Sequence, residues 1–143
     1  MEYSDLALAC QVLEAEGLSL CAVRDGQVVF RSQARGVACL ARLVLDQSPV
    51  LRGACVADAV VGRAAQMLYT ALDPVAVYAK LYSTNARSWS TAFEVIVGHE
   101  VPSILNRDQT GTCPMEALSA SATTPLEMAQ AAADFMAQRG KTI

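Results

Sequence analysis

The pair Asp25-Gly26 constrains the fold more than any other feature of this sequence. With Arg24, it separates two short β-rich runs, Leu18–Val23 and Gln27–Phe30. An Asp-Gly pair in that position is the strongest short-range signal for a β-hairpin, because both residues tolerate the positive φ angles of a two-residue turn. The sequence therefore predicts an antiparallel hairpin early in the chain.

Helical and extended patterns alternate around this hairpin. The first helix covers residues 5–16 of the N-terminal segment 1–16 and ends at Gly17. The last covers residues 124–139, where Thr124-Pro125-Leu126-Glu127 forms a capping box with proline at the first helical position. The predicted elements in between are helices at about 37–45 and 55–72, a strand at 75–82, a helix from 83 through 93, a strand at 94–98 and a short helix from 113.

This order predicts the α/β class, as a three-layer α/β/α sandwich with a mixed sheet. A length of 143 residues without repeats or linkers predicts a single domain over residues 1–143. A formal net charge of −3 without a basic run argues against a nucleic-acid partner.

The location is predicted from what the sequence lacks. The acidic N-terminus is not that of a signal peptide, and no apolar run approaches the roughly 18 residues that span a bilayer. The expectation is a cytoplasmic protein without a membrane partner. The five cysteines include no pair with CxxC spacing, which predicts reduced thiols.

Three stretches resemble a known family, over roughly residues 13–118. They are Gly53–Ala65, Val77-Tyr78-Ala79, and the run from Ile104 to Glu116 that holds Asn106-Arg107-Asp108 and Cys113-Pro114-Met115-Glu116. Together they are similar to an uncharacterised prokaryotic family, a domain of unknown function assigned to the cytidine-deaminase-like superfamily. The resemblance implies a deaminase-like fold and no established activity.

The sequence departs from that of true deaminases at the positions of the zinc ligands. Zinc deamination requires a His or Cys, with Glu two residues on, at one helix start, and two thiolates from Pro-Cys-x-x-Cys at the next. The stretch from Asp58 to Ala65 offers neither His nor Glu, and Ser83-Thr84-Asn85 offers no cysteine. Zinc deamination is therefore excluded, and neither a metal nor a cofactor is expected.

Cys113 and Glu116 are the candidate catalytic residues. If Pro114 opens a helix, Cys113 occupies its N-cap, where the helix dipole can lower a thiol pKa, and Glu116 reaches back towards that cap. The alternative is a buried small residue closing a loop, with Glu116 as its capping partner.

The preceding polar loop is the candidate anion site. Asn106, Arg107, Asp108 and Thr112 stand before the predicted helix start, where loop N–H groups and a guanidinium hold phosphate or carboxylate. The alternative is a turn held by Asx hydrogen bonds, with Arg107 paired to a carboxylate.

Asp58 and Arg63 are the charged members of the predicted helix over residues 55–72. They are five positions apart and so lie on different helical faces, while Gly62 leaves room for a backbone or a ligand. In the functional interpretation, Arg63 converts a metal pocket into an anion site. The alternative is close helix–sheet packing at Gly62 and a surface or interface Arg63.

Other polar and aromatic residues favour structural roles. His99 and Glu100 are adjacent on a strand and point to opposite faces, which predicts an exposed histidine rather than a shared site. Trp89, Tyr78, Tyr82 and Phe93 lack interleaved basic residues, so they are interpreted as core or interface residues.

Three functions remain open from the sequence. The leading one is a non-catalytic small-ligand-binding or regulatory protein, with an anionic or nucleotide-like ligand. The second is an enzyme of another class that uses Cys113 as nucleophile or redox thiol. The third is a structural role as a homodimer formed through aliphatic helix faces.

Overall fold

The computed structural model describes residues 3–34, 37–104 and 114–139. Within them, strands and helices alternate after an initial helix. In chain order they are α1 (Ser4–Glu16), β1 (Leu20–Arg24), β2 (Gln27–Ser32), α2 (Ala38–Leu45), β3 (Cys55–Val61), α3 (Arg63–Leu72), β4 (Ala76–Ser83), a 3-10 helix η1 (Thr84–Ser88), β5 (Glu94–Val101), α4 (Pro114–Ser119) and α5 (Pro125–Gln138).

The five strands form one mixed sheet in the order β2-β1-β3-β4-β5. The hairpin is confirmed: Asp25 and Gly26 have φ angles of 54° and 76° and join two antiparallel strands. β1 is also antiparallel to β3, whereas β3, β4 and β5 run parallel. Because parallel strands end at the same edge, the segments that follow β3 and β4 leave the sheet side by side.

Helices cover both faces of this sheet. On one face, α1 packs Ala9 and Leu13 against Cys21, Val23 and Ala57. On the other face, α2, α3 and α5 form the larger apolar cluster. The arrangement is therefore a helix–sheet–helix stack, which agrees with the predicted α/β class.

The predicted helix over residues 55–72 was wrong in its first half. Residues 55–61 form β3, the central strand, which pairs with β1 and β4, and only residues 63–72 are helical. A short apolar run fits a buried strand as well as a buried helix, because it lacks an exposed face that reveals the period. Asp58 therefore lies on a strand, and Arg63 opens the helix rather than lying at its centre.

The predicted helix from Ser83 through Phe93 was also too long. Only η1, residues 84–88, is helical, and β5 extends to Val101 instead of ending at Gly98. By contrast, the end of α1 at Gly17 (φ 64°) and the start of α5 at Thr124 are confirmed. No helix among the described residues has the length and apolar character needed to cross a membrane.

Candidate functional site

The candidate site lies where β3 and β4 end. Gly62 links β3 to α3, and Ser83 ends β4 immediately before η1. The short helix α4 packs against α3 and brings Glu116 to this edge. Ligands of open α/β sheets bind outside the carboxyl ends of the strands, so this edge is the natural place to search for a site.

The side chain of Glu116 caps the N-terminus of α3. Its Oε1 accepts a hydrogen bond from the backbone N–H of Arg63 at 3.2 Å, and its Oε2 lies 3.2 Å from the hydroxyl of Ser83. The residue is only 5% exposed. An N-terminal N–H group and the positive end of the helix dipole both stabilise a carboxylate. The predicted capping position Cys113 lies outside the described residues, and the contact of Glu116 with Arg63 joins residues 53 positions apart.

Gly62 is what allows this contact. A Cβ atom built on Gly62 would lie 1.9 Å from Glu116 Oε1 and 3.5 Å from Ile104 Cγ1. The φ angle of −104° is accessible to any residue, so the requirement for glycine is steric. The sequence analysis expected a backbone or a ligand to approach Gly62, whereas the group that approaches it is a side-chain carboxylate of the same chain.

The backbone N–H of Arg63 contacts Glu116, whereas its side chain contacts a different set of groups. The guanidinium contacts the Ser119 carbonyl, the Ser88 hydroxyl at 3.2 Å and the Met67 sulfur at 3.5 Å, and it lies 5.5 Å from the centre of the Trp89 ring. Among the described residues it forms no ion pair with a carboxylate. A half-buried cation is therefore held by neutral partners beside a buried anion.

Ser83 links Glu116 to the exposed Asn85. The Ser83 hydroxyl lies 2.7 Å from the Asn85 amide oxygen and 3.2 Å from Glu116 Oε2. A hydroxyl carries one proton and cannot donate to both acceptors at once. Both contacts are satisfied when the Asn85 amide group is turned so that its NH₂ donates to Ser83, which leaves the hydroxyl proton for Glu116.

Gln66 fixes η1 in place. Its buried amide nitrogen donates to the carbonyls of Ala86 and Trp89 at 2.9 and 2.6 Å, and its oxygen accepts from the Tyr82 hydroxyl at 2.7 Å. Sequence reasoning missed Gln66, because a glutamine within an apolar helix gives no signal of which carbonyls it will meet. It also treated Ser83 only as a helix cap.

Asp58 occupies a different place, within strand β3. Its carboxylate accepts hydrogen bonds from the Tyr69 hydroxyl at 2.6 Å and from the backbone N–H of Val60 at 3.1 Å. Burial raises the pKa of Asp58 to about 7, and the two hydrogen bonds oppose that shift only in part. The structure therefore gives Asp58 and Arg63, predicted as members of one site, separate sets of partners.

Several predicted site residues lie outside the described residues. They are Asn106, Arg107, Asp108, Thr112 and Cys113. Pro114 does open a helix, as predicted. His99 is exposed on β5, and Glu100 pairs with Arg87 across the surface, in agreement with their structural interpretation.

The donor set at this edge does not fit a zinc ion. Zinc sites with an open position take three protein ligands, chosen from His, Cys, Asp and Glu. Here the described residues supply Glu116, already bound to a helix N–H, and the cation of Arg63. Elsewhere in the described part of the chain, no three such residues are grouped to hold a metal.

Fold and site together define an α/β domain in which a mixed five-stranded sheet carries a buried carboxylate at its carboxyl edge. The chain belongs to the TM1506 family, a domain of unknown function (DUF1893), whose sequence model matches residues 8–136. It is similar to the crystal structure of a DUF1893 family protein, TM1506, from Thermotoga maritima. The two share 26% identity and a TM-score of 0.80, over 94% of this chain and 92% of that chain. No curated protein matches the sequence.

Proposed function

We propose that this protein binds a small nucleotide-like ligand at the carboxyl edge of β3 and β4, on a scaffold of the cytidine-deaminase type. The observation that carries the proposal is the presence at this edge of two opposite charges that form no ion pair with each other. Glu116 is a buried acceptor, and the Arg63 guanidinium forms no ion pair with a described carboxylate. A ligand that presents both N–H donors and an anionic group complements this pair.

The sheet order supports the scaffold part of the proposal. In a deaminase-type arrangement, an antiparallel hairpin precedes parallel strands whose ends carry the site, as in the order β2-β1-β3-β4-β5 seen here. Gly62-Arg63 and Ser83-Thr84 occupy the two neighbouring strand ends. This part rests on analogy of fold, and the binding part rests on the side chains themselves.

The anion is expected at Arg63 rather than at the N-terminus of α3. Glu116 already satisfies the first N–H of that helix, so a ligand phosphate would meet a like charge there. The guanidinium lies beside Trp89, the only tryptophan of the chain, so its environment can be followed by fluorescence.

The test is a titration of the whole protein with nucleosides, nucleoside monophosphates and inorganic phosphate, followed by Trp89 emission and calorimetry. We expect the monophosphates to bind more tightly than either of the other two. Glu116→Gln and Arg63→Lys should each weaken binding about tenfold or more, a loss of about 1.4 kcal/mol. Arg139→Lys is the matched control, because Arg139 also lies over an aromatic ring, that of Phe135, but at the C-terminal end of α5. Binding that is equal in all four proteins, or absent in all, contradicts the proposal.

A catalytic role for Cys113 remains a separate proposal. Its test is thiol alkylation as a function of pH, in which a Cys113 pKa near the ordinary value of about 8.5 counts against it. Self-association as a homodimer is likewise a proposal, tested by light scattering at several concentrations.

A further inference from the structure

Asn85 is an exposed residue at the candidate site whose backbone is held by its neighbours. Its carbonyl oxygen accepts a hydrogen bond from the Ser88 hydroxyl at 2.7 Å, and the same hydroxyl lies 3.2 Å from the guanidinium of Arg63. Gln66 fixes this turn from within the fold by donating to two of its carbonyls. Asn85 is thus joined through Ser88 to the guanidinium at which the anion of the ligand is expected.

The side chain of Asn85 is joined to Glu116 through a buried hydroxyl. Ser83 is 0% exposed, and its hydroxyl lies 2.7 Å from the Asn85 amide group and 3.2 Å from Glu116 Oε2. The other carboxylate oxygen, Oε1, accepts from the Arg63 N–H. Because both oxygens of Glu116 have partners within the chain, their influence on a ligand passes through Ser83 and Asn85.

The direction of each hydrogen bond in this series follows from the groups themselves. An ionised carboxylate only accepts, so the single hydroxyl proton of Ser83 is donated to Glu116. The Ser83 oxygen is then an acceptor, and the part of the Asn85 amide that faces it must be the NH₂ group. The amide oxygen of Asn85 consequently faces away from Ser83, on an exposed side chain.

We propose that Asn85 selects the ligand, with Glu116 and Ser83 as positioning residues that turn its amide oxygen outwards. An outward oxygen accepts a hydrogen bond from an exocyclic amino group, whereas an outward NH₂ group donates to a keto oxygen. The expected ligand is therefore an amino-bearing nucleoside monophosphate rather than its keto counterpart. This inference rests on the proposed function, because it concerns the base of the nucleotide held at Arg63.

The buried hydroxyl also explains why Asn85 discriminates between the two groups. An unrestrained amide rotates to suit a donor or an acceptor, so it recognises both. Turning the Asn85 amide over would place its oxygen against the Ser83 oxygen, whose proton is already donated to Glu116. A keto ligand therefore binds only with the loss of an internal hydrogen bond, which corresponds to about fivefold in affinity.

The test compares pairs of nucleoside monophosphates that differ at the base by an amino or a keto group. AMP with IMP, and CMP with UMP, are titrated into the whole protein, and emission of the single tryptophan gives each Kd. In the wild type, the amino member of each pair should bind about fivefold more tightly. In Asn85→Ala the two members should bind equally. Gln130→Ala, which removes an exposed amide on α5, is the control and should keep the wild-type ratio.

Glu116→Gln separates a positioning role from a merely structural one. The new amide oxygen still accepts from the Arg63 N–H, and the new NH₂ group donates to the Ser83 oxygen. The Ser83 proton is then donated to the Asn85 oxygen, so the Asn85 NH₂ group turns outwards. The keto member of each pair should now bind more tightly, whereas a purely structural defect would weaken both members and leave their ratio unchanged.

The ratio and the absolute affinity distinguish failure of this inference from failure of the proposed function. Equal binding of both members by the wild type, or an unchanged amino preference in Glu116→Gln, overturns the inference and leaves nucleotide binding in place. If no monophosphate binds to the wild type, the proposed function fails and the inference fails with it. If Glu116→Gln does not fold, the exposed change Asn85→Ala decides, because a persistent amino preference there overturns the inference.

Discussion

Glu116 and Asp58 are two buried carboxylates on the same domain, and they differ in what surrounds the charge. Glu116 meets the N-terminus of α3 and the Ser83 hydroxyl, whereas Asp58 meets the Tyr69 hydroxyl and one strand N–H. A helix start supplies a positive dipole that the interior of a sheet lacks. The comparison shows that burial alone does not define a carboxylate's role, because the backbone nearby decides whether the ionised form is stabilised.

Gly62→Ala should have the largest effect on stability of the changes considered, because it removes the contact of Glu116 with the start of α3. The new methyl group would lie 1.9 Å from Glu116 Oε1, so the carboxylate must leave the α3 N-terminus. We expect a loss of about 2–4 kcal/mol in the free energy of unfolding, from overpacking and from the lost cap, measured by urea denaturation.

The double variant Gly62→Ala with Glu116→Ala is the control for that result. Once the carboxylate is absent, the methyl group has room, so the two losses should fall short of additivity by about 1 kcal/mol or more. Strict additivity would show that Gly62 and Glu116 do not interact.

Asp58→Asn tests the Asp58 half of the comparison, because it should change how the stability of the protein depends on pH. Because folding raises the pKa of Asp58 from 3.8 to about 7, ionisation costs the wild type stability as the pH rises. Relative to the wild type, the variant should therefore gain about 2–3 kcal/mol in unfolding free energy between pH 5 and pH 8. Denaturation at both pH values measures it, and Glu94→Gln, on the exposed surface, should show no such gain.

Glu116→Gln should have a smaller effect than either change. The amide oxygen still accepts from the Arg63 N–H, and the NH₂ can donate to Ser83, so only the interaction of charge with the helix start is lost. We expect about 1 kcal/mol by urea denaturation. A loss equal to that of Glu116→Ala would mean that the charge, rather than the hydrogen bonds, holds the side chain in place.

Thr124→Ala compares the α3 cap, which Glu116 provides from a distant part of the chain, with the α5 cap, which Thr124 provides locally. Thr124 caps α5 by accepting from the Glu127 N–H at 3.1 Å, and it is exposed. Its loss should cost about 0.5–1 kcal/mol, the smallest effect of the series. A larger loss than that of Glu116→Gln would reverse the ranking of buried and exposed caps.

Local signals predicted the hairpin and the two outer helices because their determinants are close together in the chain. Asp25-Gly26 sets its own turn, Gly17 ends α1 in the left-handed conformation, and Thr124 caps α5. The helix prediction for residues 55–72 failed because no local signal marks where the strand ends and the helix begins. An apolar stretch that is buried on every side has no exposed face from which a period can be read.

The sequence by itself determined the α/β class, the turn and cap positions, and the absence of the deaminase zinc ligands, because each depends on residue type and short spacing. Only the tertiary structure decided which buried carboxylate meets a helix start and which meets a tyrosine. Glu116 reaches Arg63 across 53 residues, and Asp58 reaches Tyr69 from a strand to a helix. Those partners are set by how the chain returns to the sheet edge, and no local pattern encodes that path.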